Sequence, residues 1–253
     1  MNWLILRGLV REQRHWGEFR GVFEKRLQQV DPHSRVFTID LPGFGTEVNR
    51  MSPKTIGEIV HDLRDRWSQL KESNPGEWGI LAVSLGGMVA AHWASHHIED
   101  FKKVVLINSS MSGLSPLHHR MMPANYPRIV KLLLSRNLVE REKKILSMTT
   151  NMDIQNLVKQ AEKQAEFGKD VNRLNAVHQI MAAIQFKPPK KIHAPMLVLV
   201  GRGDRLVSPK CSEAIASHYG ARLVSHPTAN HDLASDDPNW IADQVVEWRK
   251  QFK

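Results

Sequence analysis

Short apolar runs rich in β-branched residues recur along the chain at Trp3–Leu6, Arg35–Ile39, Gly79–Val83, Val104–Ile107, Met196–Val200 and Arg222–Val224, most of them bounded by Gly, Pro, Asn or Asp. They predict six strands. Helical patterns lie between most of them, Ile56 to Leu70 and Gly86 to His97 among them. The strand-helix-strand order implies a mostly parallel sheet buried under flanking helices, an α/β fold. The alternation breaks between Gly113 and Pro189, where helical patterns over Pro127–Leu134, Asp153–Phe167 and Val171–Ile184 follow one another without a strand. This segment reads as an inserted helical cap, residues 113–189, in a core made of residues 1–112 and 190–253. Pro188-Pro189-Lys190-Lys191 reads as the return hinge.

A chain of 253 residues with 42% hydrophobic content can bury a sizeable core, enough for one catalytic unit with an insertion. The single cysteine, Cys211, cannot form an intrachain disulfide, and no Cys/His spacing suggests zinc. The apolar stretch Trp3 to Leu6 stops at Arg7, short of the ~7–15 residues of a signal-peptide core. No run approaches the ~20 apolar residues needed to cross a bilayer. A cytoplasmic protein is the expectation. The formal charge is +9, but basic residues alternate with acids, as in Glu140-Arg141-Glu142-Lys143-Lys144, which reads as solvated surface and not as a nucleic-acid site. Between Gly113 and Pro189 stand 12 Lys or Arg against 6 Asp or Glu, so most of the excess charge falls in the cap. Such a surface suits anionic substrates or peripheral contact with acidic lipid head groups.

The chemistry centres on Ala82-Val83-Ser84-Leu85-Gly86-Gly87, between the strand Gly79–Val83 and a helical run from Met88. Small residues on either side of a serine at a strand-to-helix turn let the two elements approach closely and leave the hydroxyl exposed at the sheet's C-terminal edge. The segment resembles the nucleophile elbow of the α/β-hydrolases, with Ala82 where glycine is commoner. The resemblance covers the whole core, and the cap matches in position only. It implies the order serine, acid, histidine. Gly201-Arg202-Gly203-Asp204 after the fifth strand resembles the acid loop, and Ala229-Asn230-His231-Asp232 after the sixth resembles the histidine loop. Ser84, Asp204 and His231 are therefore the candidate triad. After the fourth strand, where some relatives carry the acid, Leu106-Ile107-Asn108-Ser109 holds no carboxylate. Asp232, Asp236 and Asp237 stand near His231 in sequence, but adjacency alone does not aim a carboxylate at the ring.

The same resemblance implies an oxyanion hole built from the backbone N–H groups of Leu85 and Leu9, with Arg7 in place of the histidine usual before Gly8. Asp40-Leu41-Pro42-Gly43-Phe44-Gly45 resembles a structural turn of the family. Starting at the strand before Arg7 implies a compact version without the family's first two strands. Neither metal nor organic cofactor is required. His92 and His96, one helical turn apart, lack the further ligands a metal needs, and His118-His119 read as cap-entry residues whose side chains point apart. Met121, Met122 and Met148, with neighbouring leucines, are candidates for the wall of an acyl pocket above Ser84.

A serine at the elbow disfavours the alkyl-ester chemistry of dehalogenase and epoxide-hydrolase relatives, which use an aspartate there. The resemblance implies a serine hydrolase of carboxylic esters, carboxylesterase or lysophospholipase in type, acting on a small ester or acyl substrate. A cofactor-free C–C hydrolase or lyase acting on a small acidic substrate, and a non-catalytic ligand-binding protein, remain the alternatives. Oligomeric state is not legible.

Overall fold

The computed structural model describes residues 1–168 and 172–252. The six predicted strands form, as β1 (Asn2–Leu6), β2 (Val36–Thr38), β3 (Trp78–Val83), β4 (Lys103–Ile107), β5 (Met196–Gly201) and β6 (Arg222–His226). They make one sheet in the order β2-β1-β3-β4-β5-β6. Every neighbouring pair is parallel.

The four inner strands β1, β3, β4 and β5 are buried on both faces, which is why they read as continuous apolar runs. Along β1, Trp3 and Ile5 face one layer and Leu4 and Leu6 the other, all without exposure. Helices α1 (Phe19–Gln28) and α11 (Pro238–Arg249) cover the first face; α2 (Ile56–Ser73), α3 (Leu85–His96) and α9 (Lys210–Tyr219) cover the second. On α2, Ile56, Ile59, Val60, Leu63 and Trp67 fall at helical spacing and are all buried. Thr55 and Glu58 form a capping box that starts this helix. A short helix α10 (Leu233–Asp236) precedes α11.

Among the described residues, five α-helices and no strand run between β4 and β5: α4 (Leu117–Arg120), α5 (Tyr126–Leu134), α6 (Leu138–Thr149), α7 (Ile154–Ala165) and α8 (Arg173–Gln185). Three of these were expected from the pattern; Val171, the predicted start of the last, lies outside the described residues. Helix α6 was not expected, because its charged middle suggested open surface. The structure corrects that reading: Glu142 is only 3% exposed. Its carboxylate accepts a hydrogen bond from Arg11 Nη1 at 2.6 Å, a pairing across 131 residues that turns a charged run into cap-to-core contact. Helix α8 is fastened to the core by one polar face. Asn175 accepts from Ser52 N and donates to the carbonyls of Gly43 and Arg50. Gln179, further along that face, accepts from Val10 N at 2.9 Å. Among the described residues, no helix is long and apolar enough to cross a membrane.

The chain moves outward from β1 to β2 and returns across it to β3. Loops leaving the C-terminal ends of β1 and β3 therefore diverge and open a crevice between them. Gly8 and Ser84 occupy those two loops.

Candidate active site

Ser84 sits between β3 and α3 with φ 55° and ψ −117°. A non-glycine residue in that region costs of order 1–3 kcal/mol unless its surroundings enforce it. Here the enforcement is visible. Ser84 N donates to Ile107 O at 2.9 Å, and Ser84 O accepts from Gly87 N at 2.9 Å and from Ser109 Oγ at 2.8 Å. Gly86 permits the tight approach of α3: a Cβ there would fall 2.6 Å from Arg7 O. A Cβ on Gly8 would fall 3.0 Å from Ser84 Cβ. The β1 loop that carries Leu9 thus abuts the serine, and Leu85, as the first residue of α3, has an N–H with no acceptor within its helix.

His231 Nδ1 and Asp204 Oδ2 are 2.7 Å apart. Asp204 is held by its other oxygen, which accepts from Leu206 N at 2.8 Å and Val207 N at 2.9 Å. Burial alone would lower the pKa of His231, but the charge and hydrogen bond of Asp204, with the charge of Asp232, outweigh it and raise the value above that of a free imidazole. Asn108, just past β4 where some relatives carry the acid, has a different task. Its Nδ2 donates to the carbonyls of Asn230 and His231, and its Oδ1 accepts from Gly201 N, which ties the histidine loop to the acid strand.

Arg7, the departure from the usual histidine, forms a bidentate pair with Asp232 at 3.0 and 2.8 Å. Both side chains are buried, and the guanidinium lies over the Trp16 ring at 4.7 Å. Burial opposes the Asp232 charge, and Arg7 more than offsets it, so this carboxyl stays below the usual range. Asp236 accepts from Asn230 N and Asn151 N, and Asp237 caps α11, so neither competes with Asp204 for the imidazole. Spacing gave no hint of the Arg7–Asp232 pair or of the Gln179–Val10 contact. The one signal for the latter is conformational: Val10 is β-branched yet has φ 58°.

Ser84, His231, Leu9 and Leu85 line one cavity of about 480 Å³. Met121 and Met148 are on its wall with Met88, Ile145, Ile180 and Leu206. Met122 is not among the wall residues; its N–H donates to Leu206 O at 3.0 Å. Not all of the apolar cap is turned inward, since Leu134 and Ile154 are largely exposed. The rings of His118 and His119 meet edge to face at 4.5 Å instead of pointing apart, and neither lines the cavity. His92 and His96 stack at 3.9 Å on α3, and burial pulls His92 down to about 4. No group of three or more His, Cys, Asp or Glu among the described residues is placed to hold a metal ion.

A model of the family described as "Serine aminopeptidase, S33" matches residues 16–238. The chain belongs to that family of α/β-hydrolases. It is 28% identical over 208 residues to a pimeloyl-[acyl-carrier protein] methyl ester esterase of Vibrio vulnificus, covering 78% of this chain and 76% of that protein. The protein of the same description from Pseudoalteromonas atlantica is 25% identical over 241 residues, covering 89% and 86%. A solved thermophilic esterase from Thermogutta terrifontis superposes with a TM-score of 0.74 at 18% identity, over 99% of this chain and 90% of that one, and so shares the fold. This α/β-hydrolase is therefore an enzyme, with the sheet and flanking helices expected of it.

Proposed function

We propose that this α/β-hydrolase cleaves carboxylic esters through an acyl-enzyme on Ser84. The observation that carries the reading is the Asp204–His231 hydrogen bond, with His231 and a strained, cavity-facing Ser84 lining the same apolar chamber. Ser84 Oγ attacks the ester carbonyl and passes its proton to His231 Nε2. Asp204 holds the Nδ1–H and stabilises the imidazolium. The N–H groups of Leu9 and Leu85 receive the oxyanion, a contribution of about 10²–10³ in kcat for each donor in comparable sites. His231 then protonates the leaving alcohol, and water attacks the acyl group by the reverse sequence.

The cavity wall is largely aliphatic, which suits an acyl chain. The curated relatives act, by their names, on a methyl ester of an acyl group carried by acyl-carrier protein. An acyl methyl ester is accordingly the substrate we favour. The test is hydrolysis of chromogenic acyl esters from short to long chain by wild type and Ser84→Ala. Turnover with a chain-length optimum, lost in the variant, supports the reading. Absence of turnover on every ester refutes it in favour of C–C cleavage or ligand binding on the same fold.

A further inference from the structure

Five arginines line the cavity that holds Ser84: Arg7, Arg11, Arg120, Arg141 and Arg173. In a chamber whose remaining wall is mostly aliphatic, each such charge needs a counter-charge or a persistent hydration shell. Arg7 is satisfied by Asp232 and Arg11 by Glu142. Arg141 shares Glu142 at 3.6 Å. Arg173 is exposed and donates to Ser135 O.

Arg120 differs from the others. Its Nη2 donates to the Ala183 carbonyl at 2.6 Å, which fixes the side chain against α8. Its Nε is buried without a hydrogen-bond partner, as are those of Arg7 and Arg141, but unlike theirs its charge pairs with no carboxylate of the described residues. Burial works against its charge. Nor can its neighbourhood readily supply an acid: residues 113–139 and 172–203 contain no Asp or Glu. The nearby Cys211 is a buried thiol with a raised pKa, so it stays neutral. Asp204 is committed to His231.

The backbone around Arg120 is also tied to the catalytic loop. Ser208 N donates to His119 O at 2.8 Å and Met122 N to Leu206 O at 3.0 Å, while Leu206 N and Val207 N hold Asp204. Arg120 is thus positioned by the same loop that orients the candidate base.

We propose that Arg120 is a recognition residue for an anionic group, carboxylate or phosphate, at the end of the substrate remote from the scissile carbonyl. The proposal deepens the ester-hydrolase reading and rests on it for the reacting end. The substrate class is an acyl ester with one charged terminus: the carbonyl lies at Ser84, the chain along the aliphatic wall, and the anion at Arg120.

The experiment compares kcat/KM for three methyl-ester series of matched chain length: ω-carboxylates, ω-phosphates and uncharged alkyl esters. Wild type, Arg120→Gln and Arg120→Lys are assayed side by side, and melting temperatures report any loss of fold. We expect wild type to prefer a charged ester of one chain length over its uncharged counterpart at least tenfold, with that ratio collapsing in Arg120→Gln and partly kept in Arg120→Lys. Whichever charged series shows the preference identifies the anion. A wild type indifferent to the charge at every length, or an equal loss on charged and uncharged esters in Arg120→Gln, overturns the proposal. Binding of α,ω-dicarboxylates and alkyl phosphates to Ser84→Ala, followed by calorimetry, separates the two claims. Affinity that falls at least tenfold on adding Arg120→Gln supports the anion site even if no ester is turned over, and an affinity unchanged by Arg120→Gln refutes it even if esters are hydrolysed.

Discussion

Replacing Arg7 by methionine keeps most of the aliphatic stem and removes the guanidinium that answers Asp232. The carboxylate is 7% exposed, and two of its contacts are the paired bonds from Arg7 at 3.0 and 2.8 Å. Removing one member of a buried pair leaves the other uncompensated, at a cost of about 3–5 kcal/mol. For a domain of this size that corresponds to a fall in melting temperature of about 6–20 °C. Because Arg7 holds the pKa of Asp232 down, the pair's stabilisation is present above the ordinary carboxylate pKa of ~3.9 and is lost as the pH falls through the lower folded value. The deficit of Arg7→Met should accordingly be full at neutral pH and narrow in acid. Arg7 precedes the Gly8-Leu9 loop and Asp232 follows His231, so breaking the pair also frees the two candidate catalytic loops from each other; kcat should fall more than KM rises. The double variant Arg7→Met, Asp232→Leu should recover most of the stability, since an apolar pair of similar volume is often as stable as the ionic one. Thermal unfolding of wild type, Arg7→Met, Asp232→Leu and the double variant from about pH 2 to 8, with ester kinetics alongside, is the assay. A loss under about 1 kcal/mol in Arg7→Met, or a double variant no more stable than the single ones, would mean that Asp232 does not depend on Arg7 for its compensation.

The raised pKa of His231 places loss of base function on the acid side, so kcat/KM should climb with pH through an apparent value above ~6.5; a midpoint at or below that value would contradict the Asp204 contact. Gln179→Leu removes the acceptor of Val10 N, which should cost about 1–3 kcal/mol and weaken catalysis through the adjoining Leu9 donor. Val10→Gly, which adopts φ 58° without strain, should restore part of the activity in the Gln179→Leu background; no recovery in the paired kinetics would show that the contact does not shape the oxyanion loop.

Elements whose physics is local are legible in the order of the amino acids alone. A strand buried on both faces must be apolar throughout, so β1 and β3 to β5 announced themselves as runs. A tight strand-to-helix turn needs small residues at fixed offsets from its serine, so Ala82-Val83-Ser84-Leu85-Gly86 is legible as such a turn, and Ser84 stands in it with φ 55°. The order of Ser84, Asp204 and His231 along the chain followed from the resemblance, and the 2.7 Å contact between the last two agrees with it. The partnerships between distant charged and polar groups emerge only in the folded chain. Glu142 reads as surface until Arg11 reaches it, Arg7 reads as an anomaly until Asp232 meets it 225 residues later, and Gln179 is unremarked until its amide oxygen receives the N–H of a strained valine. A hydrophobic pattern records which face of an element is buried. A charge is neutralised by whichever partner the folded chain brings within about 4 Å, and no local period encodes that distance.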